Sequence, residues 1–145
     1  MKIRYGALVM SALVLGGCSW MPHLGKHKTA AQTQTLMKSL SGEVDYRLAH
    51  ELPSDAYLEV TLSDVSKQDA PARVIATDRI APVGASPVSF VLSYEPAELT
   101  GGVDFVVSAR IKQGDRTLAA NDTQVPVLGR SGNDGPVRVD ISEIH

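Results

Sequence analysis

The stretch Val103-Asp104-Phe105-Val106-Val107-Ser108-Ala109-Arg110-Ile111-Lys112-Gln113-Gly114-Asp115 decides the fold. Val103, Phe105, Val107, Ala109 and Ile111 recur at every second position, with Asp104, Ser108, Arg110 and Lys112 between them. Side chains of a strand point alternately to opposite faces, so a period of two marks a half-buried strand. Gln113-Gly114-Asp115 then joins Ile111 to Leu118 as a tight hairpin, because glycine accepts the positive φ such turns require. The pattern extends outward in both directions. Leu58, Val60 and Leu62 oppose Glu59, Thr61 and Ser63; Val88, Phe90, Leu92 and Tyr94 oppose Ser89 and Ser93; Val137, Val139 and Ile141 oppose Arg138, Asp140 and Ser142.

Shorter strands are expected at Gly42–Arg47, Val74–Ile80, Thr117–Ala120 and Gln124–Leu128. The punctuation agrees. Leu52-Pro53-Ser54-Asp55 and Asn133-Asp134-Gly135 are turn sequences, and Glu95–Gly101 reads as one helical turn begun by Pro96 and stopped by Gly101. No helix is long enough to cross between parallel strands. Residues 40–145 are therefore expected to form an all-β domain, an antiparallel β-sandwich of immunoglobulin-like type with seven to eight short strands; a small closed barrel is the alternative. Phe105 is expected at the centre of the core. Val74–Ile80 is expected at a sheet edge, where Asp78 and Arg79 would discourage indiscriminate pairing.

The amino-terminal segment has a different texture. Lys2 and Arg4 precede an apolar run from Ala7 to Leu15, broken only by Ser11 and followed by Gly16-Gly17-Cys18. A charged head, a short apolar stretch and small residues at a cut site form a secretory leader. The run is too short to span a membrane, which takes about 20 residues. Leu15-Gly16-Gly17-Cys18 resembles the bacterial lipobox. That resemblance implies cleavage between Gly17 and Cys18, lipidation of the Cys18 thiol, and acylation of the new amino terminus. Two acyl chains suffice for stable anchoring. Ser19, where an aspartate would favour retention in the inner membrane, is expected to sort the protein to the outer membrane, facing the periplasm. Residues 1–17 are thus expected to be a leader, and residues 18–39 a lipidated, flexible tether with Trp20 and Met21 in the interface. Such a tether reaches roughly 25 Å. Lys26, His27 and Lys28 are expected to be a solvated part of this linker, contact with anionic headgroups being the alternative.

Composition excludes several classes of function. Cys18 is the single cysteine, so the domain has no disulfide, no cysteine metal site and no cysteine nucleophile. The whole chain carries 14 basic and 16 acidic residues; removal of Lys2 and Arg4 with the leader leaves a charge of −4. That balance opposes nucleic acid as a partner, and the 5% aromatic content offers few stacking platforms. His23, His27, His50 and His145 share no metal-ligand spacing, and there is no Gly-x-Ser-x-Gly elbow. Asp64, Asp69 and Asp78 leave calcium binding open, although aspartates at strand ends more often begin turns. Gly129–Gly135 is glycine-rich but precedes no helix, so it lacks a phosphate cradle. Asn121-Asp122-Thr123 matches a glycosylation acceptor that a bacterial host would not use. No catalytic residue, metal site or cofactor is expected, nor a small-molecule ligand.

Several segments taken in order carry a family resemblance. Ser41-Gly42-Glu43-Val44, Leu52-Pro53-Ser54-Asp55-Ala56, Val60–Ser66, Asp69-Ala70-Pro71-Ala72, Val74-Ile75-Ala76, Phe90–Tyr94, Asp122-Thr123 and Pro126-Val127-Leu128 resemble the YbaY/YscW family of bacterial lipoproteins. The resemblance implies a β-sandwich on an outer-membrane lipid anchor, without catalytic residues. It also implies an envelope protein as partner. In some members this is a type III secretion secretin, escorted to the outer membrane by a pilotin. The expected function is a non-enzymatic binding or structural module, the pilotin being its sharper alternative. Strand addition at an edge and an apolar groove for a helix are the two modes of capture.

Overall fold

Leu58, Val60 and Leu62 of one strand and Val107, Ala109 and Ile111 of its neighbour are fully buried, so the two-residue period delivers both sets to one core. The computed structural model describes residues 36–145. Its strands are β1 (Lys38–Arg47), β2 (Tyr57–Asp64), β3 (Arg73–Ile80), β4 (Val88–Tyr94), β5 (Phe105–Gln113), β6 (Arg116–Ala120), β7 (Val125–Val127) and β8 (Val137–Glu143). Short 3-10 turns occupy Pro96–Leu99 and Gly129–Ser131. The leader, Cys18 and the tether up to Thr35 lie outside the described residues. β1 begins two residues before the expected start of the domain, and Lys38 and Ser39 pair with Tyr94 and Ser93.

The domain is all-β, as expected, but the sandwich is corrected. The strands form one continuous sheet in the order β3-β2-β5-β6-β8-β1-β4, with β7 also paired to β5. This sheet wraps around a single core into a nearly closed barrel. It has two broad walls, β3-β2-β5 with β7 and β8-β1-β4, joined through β6. The antiparallel expectation fails at one pair, since β1 and β8 run parallel in the register Gly42↔Val137 to Arg47↔Ser142. No crossover helix is needed, because the intervening strands make the return journey.

Local chemistry explains the register. Gly114-Asp115 closes the β5–β6 hairpin between Gln113 and Arg116, with Gly114 at φ 59°. Gly42 is required for a different reason. A Cβ there would stand 2.1 Å from the Val137 carbonyl oxygen and 2.7 Å from the Phe90 ring, so a side chain would separate β1 from β8. Phe105 is buried at 2% exposure, and its ring fills the space above Gly102 and Gly129. Val103 is corrected: it lies before β5 and is 46% exposed.

Candidate functional site

The sheet order leaves β3 and β4 as its ends, so the expected edge at Val74–Ile80 is an edge. It is not an open one. Asp78 lies opposite Val60 in the β2–β3 register and therefore on the core-facing side of β3. From there its carboxylate accepts the Val91 amide of β4 at 3.0 Å. A carboxylate pointing inward from an edge strand occupies the place a partner strand's carbonyl would take. Val91 turns its amide away from β1, so by alternation Ser89 and Ser93 also direct their backbone groups to this seam.

The second seam, between β7 and β8, is blunted differently. Pro126 has no amide to offer, and its carbonyl lies 3.5 Å from the Asn133 side-chain nitrogen. Asn121 spans the break between β6 and β7. Its side-chain oxygen accepts the Ala109 amide at 3.0 Å, while its nitrogen donates to the Thr123 carbonyl. The sequon residue is thus a structural bracket.

Loops gather at the two ends of the barrel. At the Arg47 end, a cleft of about 680 Å³ is lined by Tyr46, Leu48, Leu52, Ala56, Pro82 and Val83 among others. Tyr46 crosses it, its hydroxyl donating to the Gly84 carbonyl and its amide to the Ser86 hydroxyl. The loop after β1 is tied to β8. Glu143 accepts the Ala49 amide at 3.0 Å and contacts His50 Nδ1 at 2.9 Å. His50, then the Ala49 amide, holds the Glu143 carboxyl below its ordinary range.

At the opposite end a cleft of about 610 Å³ lies between the loop after β2 and the 3-10 turn after β4. The sequence singled out both borders, Asp69-Ala70-Pro71 and Glu95–Gly101. Arg73 joins them, 3.6 Å from the Asp64 carboxylate and donating to the Glu98 carbonyl at 2.6 Å. Hydrogen bonds from the Ser66 side chain and amide, aided by Arg73, hold Asp64 below the usual carboxylate range. Ser66 in turn accepts the Val103 and Asp104 amides. Burial, with Asp134 nearby, raises the Tyr94 hydroxyl at this end.

The site residues expected from sequence thus have plain addresses. Gly17, Cys18, Ser19, Trp20, Met21, His23 and His27 lie outside the described residues. His50 is bound to Glu143. Asp64 and Asp78 serve Arg73 and Val91, and Asp69 is exposed in the loop that follows β2. Among the described residues no three metal-ligating side chains converge. The sequence reading missed one arrangement, the Arg79 guanidinium stacked 3.7 Å above the Tyr57 ring. The alternation of β2 and β3 carried the signal, but their pairing register was required to bring the two residues together.

These features define a small barrel-like β domain whose closed seams and loop-lined clefts suit non-covalent contact. The chain belongs to the YscW family, described as the type III secretion system lipoprotein chaperone, whose model matches residues 35–139. It is 41% identical over 95 residues to the uncharacterized lipoprotein YbaY of Escherichia coli strain K12, a match covering 65% of this chain and 50% of that protein. The chain thus spans about half the length of this curated relative. Its fold is similar to an alternative pilotin from the type II secretion system of Vibrio cholerae, with a TM-score of 0.67 and 31% identity. That likeness covers 76% of this chain and 99% of the pilotin chain.

Proposed function

We propose that this protein is an outer-membrane lipoprotein facing the periplasm, cleaved between Gly17 and Cys18, lipidated on Cys18 and sorted outward by Ser19. Its β domain is a non-enzymatic module that binds another envelope protein. In the sharper form of this reading it is a pilotin, which captures a secretin subunit and carries it along the lipoprotein route. The supporting observation is the likeness to the Vibrio cholerae pilotin over 99% of that chain, made by the same barrel that forms the clefts and seams described above. A second reading, an envelope-binding or structural module without a secretin client, is favoured by the higher identity to the uncharacterized YbaY lipoprotein.

Labelling with a palmitate analogue is expected to mark the wild type and not Cys18→Ala. In the deletion strain, a secretin client is expected to remain in the inner membrane. Soluble Cys18→Ala protein should bind that client without restoring its location. Normal secretin assembly in the deletion strain eliminates the pilotin and leaves the second reading. A labelled Cys18→Ala protein eliminates the lipid anchor.

A further inference from the structure

The two walls of the barrel carry their outward charges in different ways. On the β8-β1 wall, Arg138 stands opposite Glu43 in register, contacts it at 3.2 Å, and reaches Asp45 at 3.1 Å. The one arginine of β8 is thus compensated within this wall, where Asp140, opposite Asp45 in register, adds a further acid. On the β3-β2-β5 wall, Glu59 is flanked in register by Arg79 on one side and Arg110 on the other, and Lys112 stands opposite Tyr57. Glu59 and Arg110 alternate with fully buried core positions, and Arg79 and Lys112 share their face through the pairing register, so these charged side chains project outward together. The bond between Thr61 and Ser108 side chains at 2.8 Å runs across the same face. Three cations thus surround one carboxylate, and among the described residues none of the three lies within ion-pair distance of an acid. Strands are about 4.8 Å apart, which puts the backbones of Arg79 and Arg110 roughly 10 Å from each other. Stacking on Tyr57 also holds the Arg79 guanidinium in place, reducing the side-chain entropy lost when it meets a carboxylate.

We propose that this outer face of β3-β2-β5 is the docking surface for an acidic polypeptide segment of the client, with carboxylates placed to meet Arg79 and Arg110 on either side of Glu59. Charge complementarity selects this occupant: a face with uncompensated arginines on a chain of negative net charge attracts acidic segments and steers their approach. The inference rests on the client-binding reading above. It names the face and the chemistry that reading leaves open.

The test uses the full-length lipoprotein, purified in detergent, and a fluorescein-labelled peptide of alternating glutamate and valine as probe. Binding is expected to weaken about ten-fold or more in Arg79→Glu/Arg110→Glu/Lys112→Glu, since exposed ion pairs are individually weak and three are lost together. Replacing the same three residues by glutamine should weaken binding without introducing repulsion, which guards against a fold defect in the reversed variant. Glu43→Lys/Asp45→Lys on the other wall should not weaken it. Equal affinity in all variants overturns the proposal. So does stronger, equally charge-dependent binding to phosphatidylglycerol vesicles, which would make the face a membrane contact.

In cells, a photoreactive residue at Thr77 should cross-link a client segment containing aspartate or glutamate, and the three-glutamate variant should abolish that cross-link. Client capture from Ser41 instead, insensitive to those charges, overturns this inference and leaves the client-binding function intact. Capture from neither position, together with normal envelope assembly in the deletion strain, overturns both.

Discussion

The two walls of this barrel share a core and differ in what their outward faces do with charge. The β8-β1-β4 wall contains its own counter-ions, with Arg138 between Glu43 and Asp45, and beyond them a run of serines along β1 and β4. The β3-β2-β5 wall sets Arg79, Glu59 and Arg110 in a row across three strands, none of them in an ion pair among the described residues, and its Arg73–Asp64 pair lies at the far end of the strands. Each face is made by the same period of two, and neither contributes much to folding, because exposed pairs are weak. The difference teaches that the inward face of a strand is answerable to stability while the outward face can be given to recognition.

Truncation of the core of the β3-β2-β5 wall should cause the largest loss. Phe105→Ala is expected to cost about 3–5 kcal/mol in chemical denaturation, since the ring fills the space over Gly102 and Gly129. A cost below about 1 kcal/mol would remove Phe105 from the centre of the core. The matching test of the other wall is Gly42→Ala, where the added Cβ meets the Val137 carbonyl. A loss of roughly 1–3 kcal/mol is expected, with faster amide exchange along β8. A neutral substitution would disprove the parallel β1–β8 register.

The seam between the walls should respond less strongly. Asp78→Ala removes the acceptor of the Val91 amide and is expected to cost about 1–2 kcal/mol. It should also produce concentration-dependent self-association in sedimentation, because the β4 edge loses its cover. Asp78→Asn keeps an acceptor oxygen and should stay monomeric. Association in both variants would place the exposed edge elsewhere.

Acid should act at the Lys38 end of the barrel. The folded-state pKa of Asp64 is lowered by Ser66 and Arg73, so its contribution is present above the ordinary carboxylate pKa. That contribution is lost as pH falls through the depressed folded value. Asp64→Asn should therefore reduce stability near neutral pH and narrow the gap to wild type in strong acid. A gap independent of pH would assign the effect to packing. The smallest expected effects lie on the outer faces. Arg138→Ala should cost less than about 1 kcal/mol and Arg110→Ala close to nothing. A thermal melt that ranks Arg110→Ala as the more damaging change would reverse the contrast between the walls.

Most of the barrel's interior was legible in the sequence. Alternation marked Leu58, Val60, Leu62, Phe90, Val107, Ile111 and Val139 as inward, and they are buried. It failed at Val103, where a correct period continued past the end of the pairing. The positions of Gly114 and Pro96 were legible because glycine and proline impose local backbone geometry. The candidate site was less so. Asp78 could be read as a residue that guards an edge, but its target Val91 could not. Nor could the contact of His50 with Glu143, which joins residues nearly the whole domain apart in sequence.

By itself, the sequence determined that the domain is all-β, where its turns fall, which side chains face the core, and that a lipobox-like Leu15-Gly16-Gly17-Cys18 precedes it. These are properties of neighbours along the chain, set by φ, by the two-residue alternation of strands and by side-chain polarity. Only the tertiary structure decided that the sheet is continuous, that β1 and β8 lie parallel, that Asp78 closes the seam to β4, and that Arg79, Glu59 and Arg110 stand in one row. Alternation assigns a side chain to a face but not to the strand beside it. That choice is made by the whole core as it closes, through backbone pairing between residues far apart in the chain.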